Sequence, residues 1–178
     1  MSDEIKRIDR TLVHKGTIID YYVDTMQLPN GNEAKWDFIQ HNGAAAVVPV
    51  TEDGKILMVS QYRNALERYT LEIPAGGLNA GESTAAAAAR ELEEETGYAS
   101  KDLEILLSIR TTVAFCNEKI DIYVAKNLVK THQHLDEDEY LNVGAYTLGE
   151  LEEMIFERKI EDSKTISALL AYKVKYGI

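Results

Sequence analysis

The sequence predicts an α+β fold: a mixed sheet held between helices, with an antiparallel β-segment at the N-terminus. Three observations predict it. Strand-like and helix-like stretches interleave without the regular βαβ alternation of an all-parallel sheet. A run of five alanines opens a strongly helical segment that stops at Gly97. Apolar residues make up 45% of the 178, enough for a sizeable core.

Residues 11–41 read as β-structure. The stretch 17–23 is rich in Ile, Tyr and Val, Asn30-Gly31 is a hairpin turn, and 36–39 begins the return strand. Residues 44–50 are a short apolar run suited to a buried strand. Glu52-Asp53-Gly54-Lys55 then turns the chain into 56–62, so the two runs read as a hairpin. Residues 74–77 and 79–81 are rich in Pro, Gly and Asn and form a loop. Residues 83–96 form a helix, with Ser83 or Thr84 as N-cap. Strands follow at 103–112 and 120–125, then a polar loop at 131–139 carrying two histidines and four acids. Residues 140–146 are a short strand, and 148–157 and 163–172 are helices. The internal boundary falls near residue 42. It separates an N-terminal β-subdomain, 1–42, from a main domain, 43–178.

Charge narrows the partners. Thirty acidic residues against nineteen basic give −11, so the chain should repel nucleic-acid phosphates. Small diphosphates stay open to it, because a divalent cation inverts the local field. Cys116 is the one cysteine, which excludes an internal disulfide and a Cys-based zinc site and suits a reducing cytoplasm. The N-terminus lacks the basic-then-apolar pattern of a secretory signal, and no apolar run is long enough to span a membrane.

The chemistry lies on the alanine-rich helix. At 100° per residue, Ala85, Ala88, Ala89, Leu92 and Thr96 share a stripe that faces a core. Glu91, Glu94 and Glu95 form a second stripe about 120° away. A solvated acidic face is the ordinary reading of such a stripe. Here, however, a loop with Gly76, Gly77 and Gly81 precedes the helix and permits close backbone approach. Oxygen ligands beside an open loop are what a hard cation such as Mg²⁺ needs while it keeps sites for substrate phosphate.

These residues resemble a known motif. Gly76, five residues, Glu82, seven residues, then Arg90-Glu91-Leu92-Glu93-Glu94-Glu95-Thr96-Gly97-Tyr98 matches the Nudix box. The resemblance implies a Nudix α/β/α sandwich and hydrolysis of a nucleoside diphosphate linked to another group. It implies Mg²⁺, or Mn²⁺ in its place, held by Glu91, Glu95, Glu94 and the Ala75 carbonyl. It casts Gly76 and Gly97 as structural positions, and pairs Glu82 with Arg90 to hold the loop on the helix.

Further residues resemble the ADP-ribose pyrophosphatase branch: Gln61-Tyr62-Arg63, Leu71-Glu72-Ile73-Pro74-Ala75-Gly76, the acidic run 136–139, and Lys164-Thr165-Ile166-Ser167-Ala168-Leu169. This implies a homodimer built through the N-terminal strands. It also implies an aromatic on adenine, for which Trp36 is the candidate beside its reading as an ordinary strand residue. Arg63 would contact substrate phosphate or terminal ribose, or form a surface ion pair. Glu72 would support metal, position substrate, or serve structure. The base would come from the late loop, Glu139 first and Glu137 second, with Glu95 the metal-side catalytic residue. Val113 stands where the branch carries proline, which keeps a GDP-sugar such as GDP-mannose open as substrate. A non-catalytic Nudix regulator that only senses ligand is the alternative of another class.

Overall fold

Three antiparallel strands open the structure, a computed structural model that describes residues 4–135 and 140–178. β1 (Lys6–Lys15) pairs with β2 (Asp20–Gln27), and β2 pairs with β3 (Glu33–Gln40). Asn30-Gly31 makes the expected reversal between β2 and β3, and Gly31 takes φ 84°, which glycine adopts without a Cβ clash. Two boundaries differ from expectation. Residues 17–19 lie in the turn between β1 and β2, where the Gly16 amide donates to the Ile19 carbonyl, so strand begins only at Asp20. β1 starts before residue 11, because pairing with β2 makes a strand of the charged run that propensity alone leaves ambiguous. On this sheet Arg10 grips the buried Asp24 with two bonds of 2.6 Å and lies 3.6 Å from the Phe38 ring centre.

The chain divides into two units. The first joins the three strands, up to Gly43, with Arg110–Lys119. The Ile39 amide donates to the Phe115 carbonyl at 2.7 Å, and the His41 amide to the Asn117 side chain at 2.7 Å.

The second unit, Ala44–Ile109 with Ile120–Ile178, holds the remaining elements. β4 (Ala44–Pro49) is central. It pairs in parallel with β10 (Lys119–Lys126) and antiparallel with β7 (Ala75–Gly77), and β9 (Asp102–Arg110) lies beyond β10, so this sheet is mixed as expected. β5 (Ile56–Arg63) sits between β6 (Arg68–Glu72) and β12 (Leu141–Tyr146) in a separate three-stranded sheet. β8 (Tyr98–Ala99) and β11 (Val129–Lys130) form a short pair. The expected hairpin of 44–50 with 56–62 is therefore not formed. Only a single bridge, Val50 to Ile56, joins the two, and each strand takes its partners from distant sequence. Residues 75–77, expected as loop, pair with β4 instead.

Strand periodicity sorts the core into two faces. Ala44, Ala46 and Val48 of β4 pack with Ile120, Ile122 and Val124, and with Leu151 of α2 (Leu148–Phe156) and Ala168, Leu169 and Tyr172 of α3 (Ser163–Tyr176). Ala45 and Val47 face the other way, onto Ala87, Ala88 and Leu92 of α1 (Thr84–Thr96). Helices thus cover both faces. Alanine on both sides lets α1 lie close to β4. Ala85, placed on the core stripe by helical projection, is exposed instead; Ala87 takes the buried place. Among the described residues no helix is long and apolar enough to cross a membrane.

Candidate active site

Ser83 caps α1 by accepting from the Ala86 amide, and Gly97 ends it at φ 70°, both as the sequence predicts. Between these caps the two stripes do not separate into buried and solvated. Glu91 and Glu95 are buried, at 7% and 1% exposure, on the same helix as Leu92. The solvated acidic face is therefore excluded for these two. A buried carboxylate is costly unless hydrogen-bonded or ion-paired. Glu95 accepts the Ala75 amide at 3.1 Å, and Glu91 takes Arg90 at 2.6 Å. Glu94 is more open and also binds Arg90, at 2.8 Å.

Arg90 ties the loop to the helix, as expected. Its Nε and Nη2 meet the two Glu82 oxygens at 2.9 and 3.0 Å, and Nη2 also donates to the Gly77 carbonyl at 3.0 Å. Glu82 in turn accepts the Asn79 amide. The Arg90 bonds, with the Asn79 amide, hold the Glu82 carboxyl at about 2, well below the ordinary range. Arg90 is raised above its ordinary value, first by Glu82.

Gly76 explains why this loop needs glycine. A Cβ there would overlap Glu91 Oε1, so any side chain would displace the carboxylate. The Ala75-Gly76 backbone thus lies against two buried acids, Glu95 at the Ala75 amide and Glu91 at Gly76. Among the described residues no three Asp, Glu, His or Cys side chains already converge as a ligand cluster. The donor chemistry nevertheless fits a hard divalent cation: oxygen donors, buried negative charge on adjacent helical turns, and a glycine that lets the Glu91 carboxylate reach the loop backbone.

The other sequence-picked residues fall in different settings. Arg63, at the end of β5, forms a fork with the buried Glu72 at 2.7 and 2.6 Å, and the Glu95 charge acts on it as well. Trp36 lies on β3 opposite Asp24, 46% exposed. Val113 is 84% exposed. Glu137 and Glu139, proposed as base, lie outside the described residues. What sequence reading missed are the roles of the groups around these. Lys164 and Thr70 bind Glu72, and the Thr165 hydroxyl accepts the Ile73 amide. The Gln133 side chain and the His134 amide bind the last carbonyls of α1, those of Glu95 and Glu94. Of these, Lys164 and Thr165 stood in the sequence only as part of the branch resemblance, with no role attached.

A family model of the NUDIX domain matches residues 40–169. The chain belongs to the Nudix family. Across almost its whole length this Nudix chain resembles two characterised relatives. It is 44% identical to the methanol dehydrogenase activator of Bacillus methanolicus, over 93% of this chain and 91% of that one. It is 40% identical to the ADP-ribose pyrophosphatase of Bacillus subtilis, over 98% and 96%. A crystal structure of an ADP compounds hydrolase superposes with a TM-score of 0.86 at 23% identity, covering 96% of this chain and 92% of the other, which establishes the Nudix fold.

Proposed function

We propose that this Nudix hydrolase cleaves the pyrophosphate bond of ADP-ribose, or of a closely related nucleoside diphosphate sugar, to a nucleoside monophosphate and a sugar phosphate. The observation that carries the chemistry is the Ala75-Gly76 backbone set against the buried Glu95 and Glu91. The 40% identity to an ADP-ribose pyrophosphatase over nearly the full chain supports the substrate.

Glu91, Glu94, Glu95 and the Ala75 carbonyl would hold the metal, Mg²⁺ with Mn²⁺ as substitute. When bound, such a cation neutralises diphosphate charge and makes a coordinated water more acidic. The chain's own residues supply the rest. Arg63, whose Nε and Nη2 are held by Glu72, turns its remaining N–H groups to a substrate phosphate. Trp36 stacks on adenine, and Glu139, or Glu137, takes the proton of the attacking water. The protein works as a cytoplasmic homodimer, residues 1–42 forming the dimerising β-subdomain and 43–178 the hydrolase domain.

The test is a hydrolysis panel with Mg²⁺: ADP-ribose, GDP-mannose, UDP-glucose, NADH and diadenosine polyphosphates. ADP-ribose should have the highest kcat/KM. A much higher value for GDP-mannose would refute the substrate and make Val113 the better guide. A second reading rests on the 44% identity to the methanol dehydrogenase activator, namely that the chain acts on a dehydrogenase. Methanol dehydrogenase turnover with and without the chain tests it.

A further inference from the structure

A second cluster of buried charge serves Arg63 from behind. Glu72, the last residue of β6, is 2% exposed. Its oxygens take the Arg63 fork, the Thr70 hydroxyl at 2.6 Å, and the Lys164 ammonium. Lys164 stands in the first turn of α3, is itself buried, and also donates to Asp162 at 3.0 Å. Asp162 is the N-cap of that helix. Two cations and two carboxylates thus share one enclosure, and their formal charges cancel. Arg63 is the most open of the four. Its side chain is 40% exposed, against 23% for Asp162, 10% for Lys164 and 3% for Glu72.

We infer that Lys164 is a positioning residue for anion binding at Arg63. By engaging Glu72 and Asp162 it leaves the Arg63 guanidinium with positive potential toward solvent. Without Lys164, one cation would face two carboxylates. Glu72 and Asp162 would then outweigh Arg63, and an incoming phosphate would meet a cluster of net negative charge. Buried charges are weakly screened, so a charge lost behind Arg63 is felt in front of it. Burial alone pushes the Glu72 carboxyl up, but the Arg63 bonds, the Lys164 charge and the Thr70 hydroxyl outweigh it and hold it at about 2. Glu72 therefore stays anionic at neutral pH, and its charge has to be met by cations. The inference rests on the proposed role of Arg63 at the substrate phosphate.

A double-mutant cycle tests it, read as KM and kcat for ADP-ribose and, separately, as the calorimetric Kd for ADP. Lys164→Met should raise KM and Kd roughly three- to tenfold, with kcat changed less than about twofold. In an Arg63→Ala background the same substitution should change neither KM nor Kd, and Lys164→Arg in the parent should keep both near parental values. Equal effects in both backgrounds would mean Lys164 merely supports structure, and would overturn the inference; so would unchanged KM and Kd. If Lys164→Met does not fold, Lys164→Gln, which keeps a donor for Glu72 and loses the charge, is read the same way. Absence of ADP-ribose turnover in the parent would refute the proposed substrate alone, and the ADP cycle would still decide the role of Lys164. Failure of ADP to bind the parent at all would overturn both.

Discussion

Glu95 brings burial, charge and backbone contact together in one side chain. It is 1% exposed and accepts the Ala75 amide. A glutamine side-chain oxygen can still accept that amide, so Glu95→Gln should fold normally while losing an anionic ligand. Metal-supported hydrolysis should then fall to background in a Mg²⁺ titration, and parental rates at limiting Mg²⁺ would exclude the ligand role. Glu72 carries a different consequence. Its folded pKa of about 2 lies below the ordinary 4.5, so the unfolded chain binds that proton more readily. Its contribution is therefore complete above pH 4.5 and is lost as pH falls toward 2. Denaturation midpoints measured against pH should drop more steeply for the parent than for Glu72→Gln in that window; parallel curves would contradict the linkage. At this scale the sequence was legible where geometry is local. Glu91 and Glu95 stand on adjacent turns of one helix, and Glu82, just before the Ser83 cap, meets Arg90 from the first turns of the same helix. The Lys164–Glu72 pair spans 92 residues, and no local pattern announces it.

Among the elements, α1 is tied down at its end as well as along its face. Gly97 adopts a left-handed conformation, donates to the Glu93 carbonyl, and leaves room beside Gln133; a Cβ there would sit 3.1 Å from the Gln133 nitrogen. The Thr131 amide in turn donates to the Gly97 carbonyl at 2.7 Å. Gly97→Ala should cost about 1–2 kcal/mol, from the left-handed backbone and the crowded neighbour. Thermal unfolding measures that cost, and faster amide exchange at 131 and 134 would localise it. Unchanged exchange there would separate the late segment from the helix end. Helix boundaries were readable because caps are local chemistry: Ser83, Thr147 and Asp162 all act as N-caps. α3 runs on to Tyr176 because Gly177, rather than residue 172, supplies the stop. Sheet membership was not readable from the turn at 52–55. A turn reverses the chain, whereas β5 is placed by β6 and β12, and β4 by β7 and β10. β7 is short and contains two glycines, so only its pairing with β4 makes it a strand.

For the whole molecule, the N-terminal sheet raises a question of burial. β1 and the residue before it carry Ile5, Ile8, Leu12 and Val13, each between 47% and 55% exposed in the single chain. Three large apolar side chains on one strand and a fourth just before it are more than scattered surface residues, and exposed apolar surface of this kind marks association sites. In the sequence, association through these strands came only from the resemblance to the ADP-ribose pyrophosphatase branch. The sequence carried no local sign that 110–119 packs with the same unit, because the contact from His41 to Asn117 spans 76 residues. The proposed homodimer gives the apolar strand its cover. Sedimentation velocity should therefore return a mass near twice 20.0 kDa, independent of loading concentration. Ile8→Glu with Val13→Glu places two charges on that strand, and charge buried without a partner is strongly unfavourable. The double variant should sediment as a monomer while the main unit keeps its cooperative melt, since the core of β4, β10 and α1 lies outside the substituted strand. A parent that sediments as a monomer would refute the dimer outright. A variant that remains dimeric would move the interface away from β1.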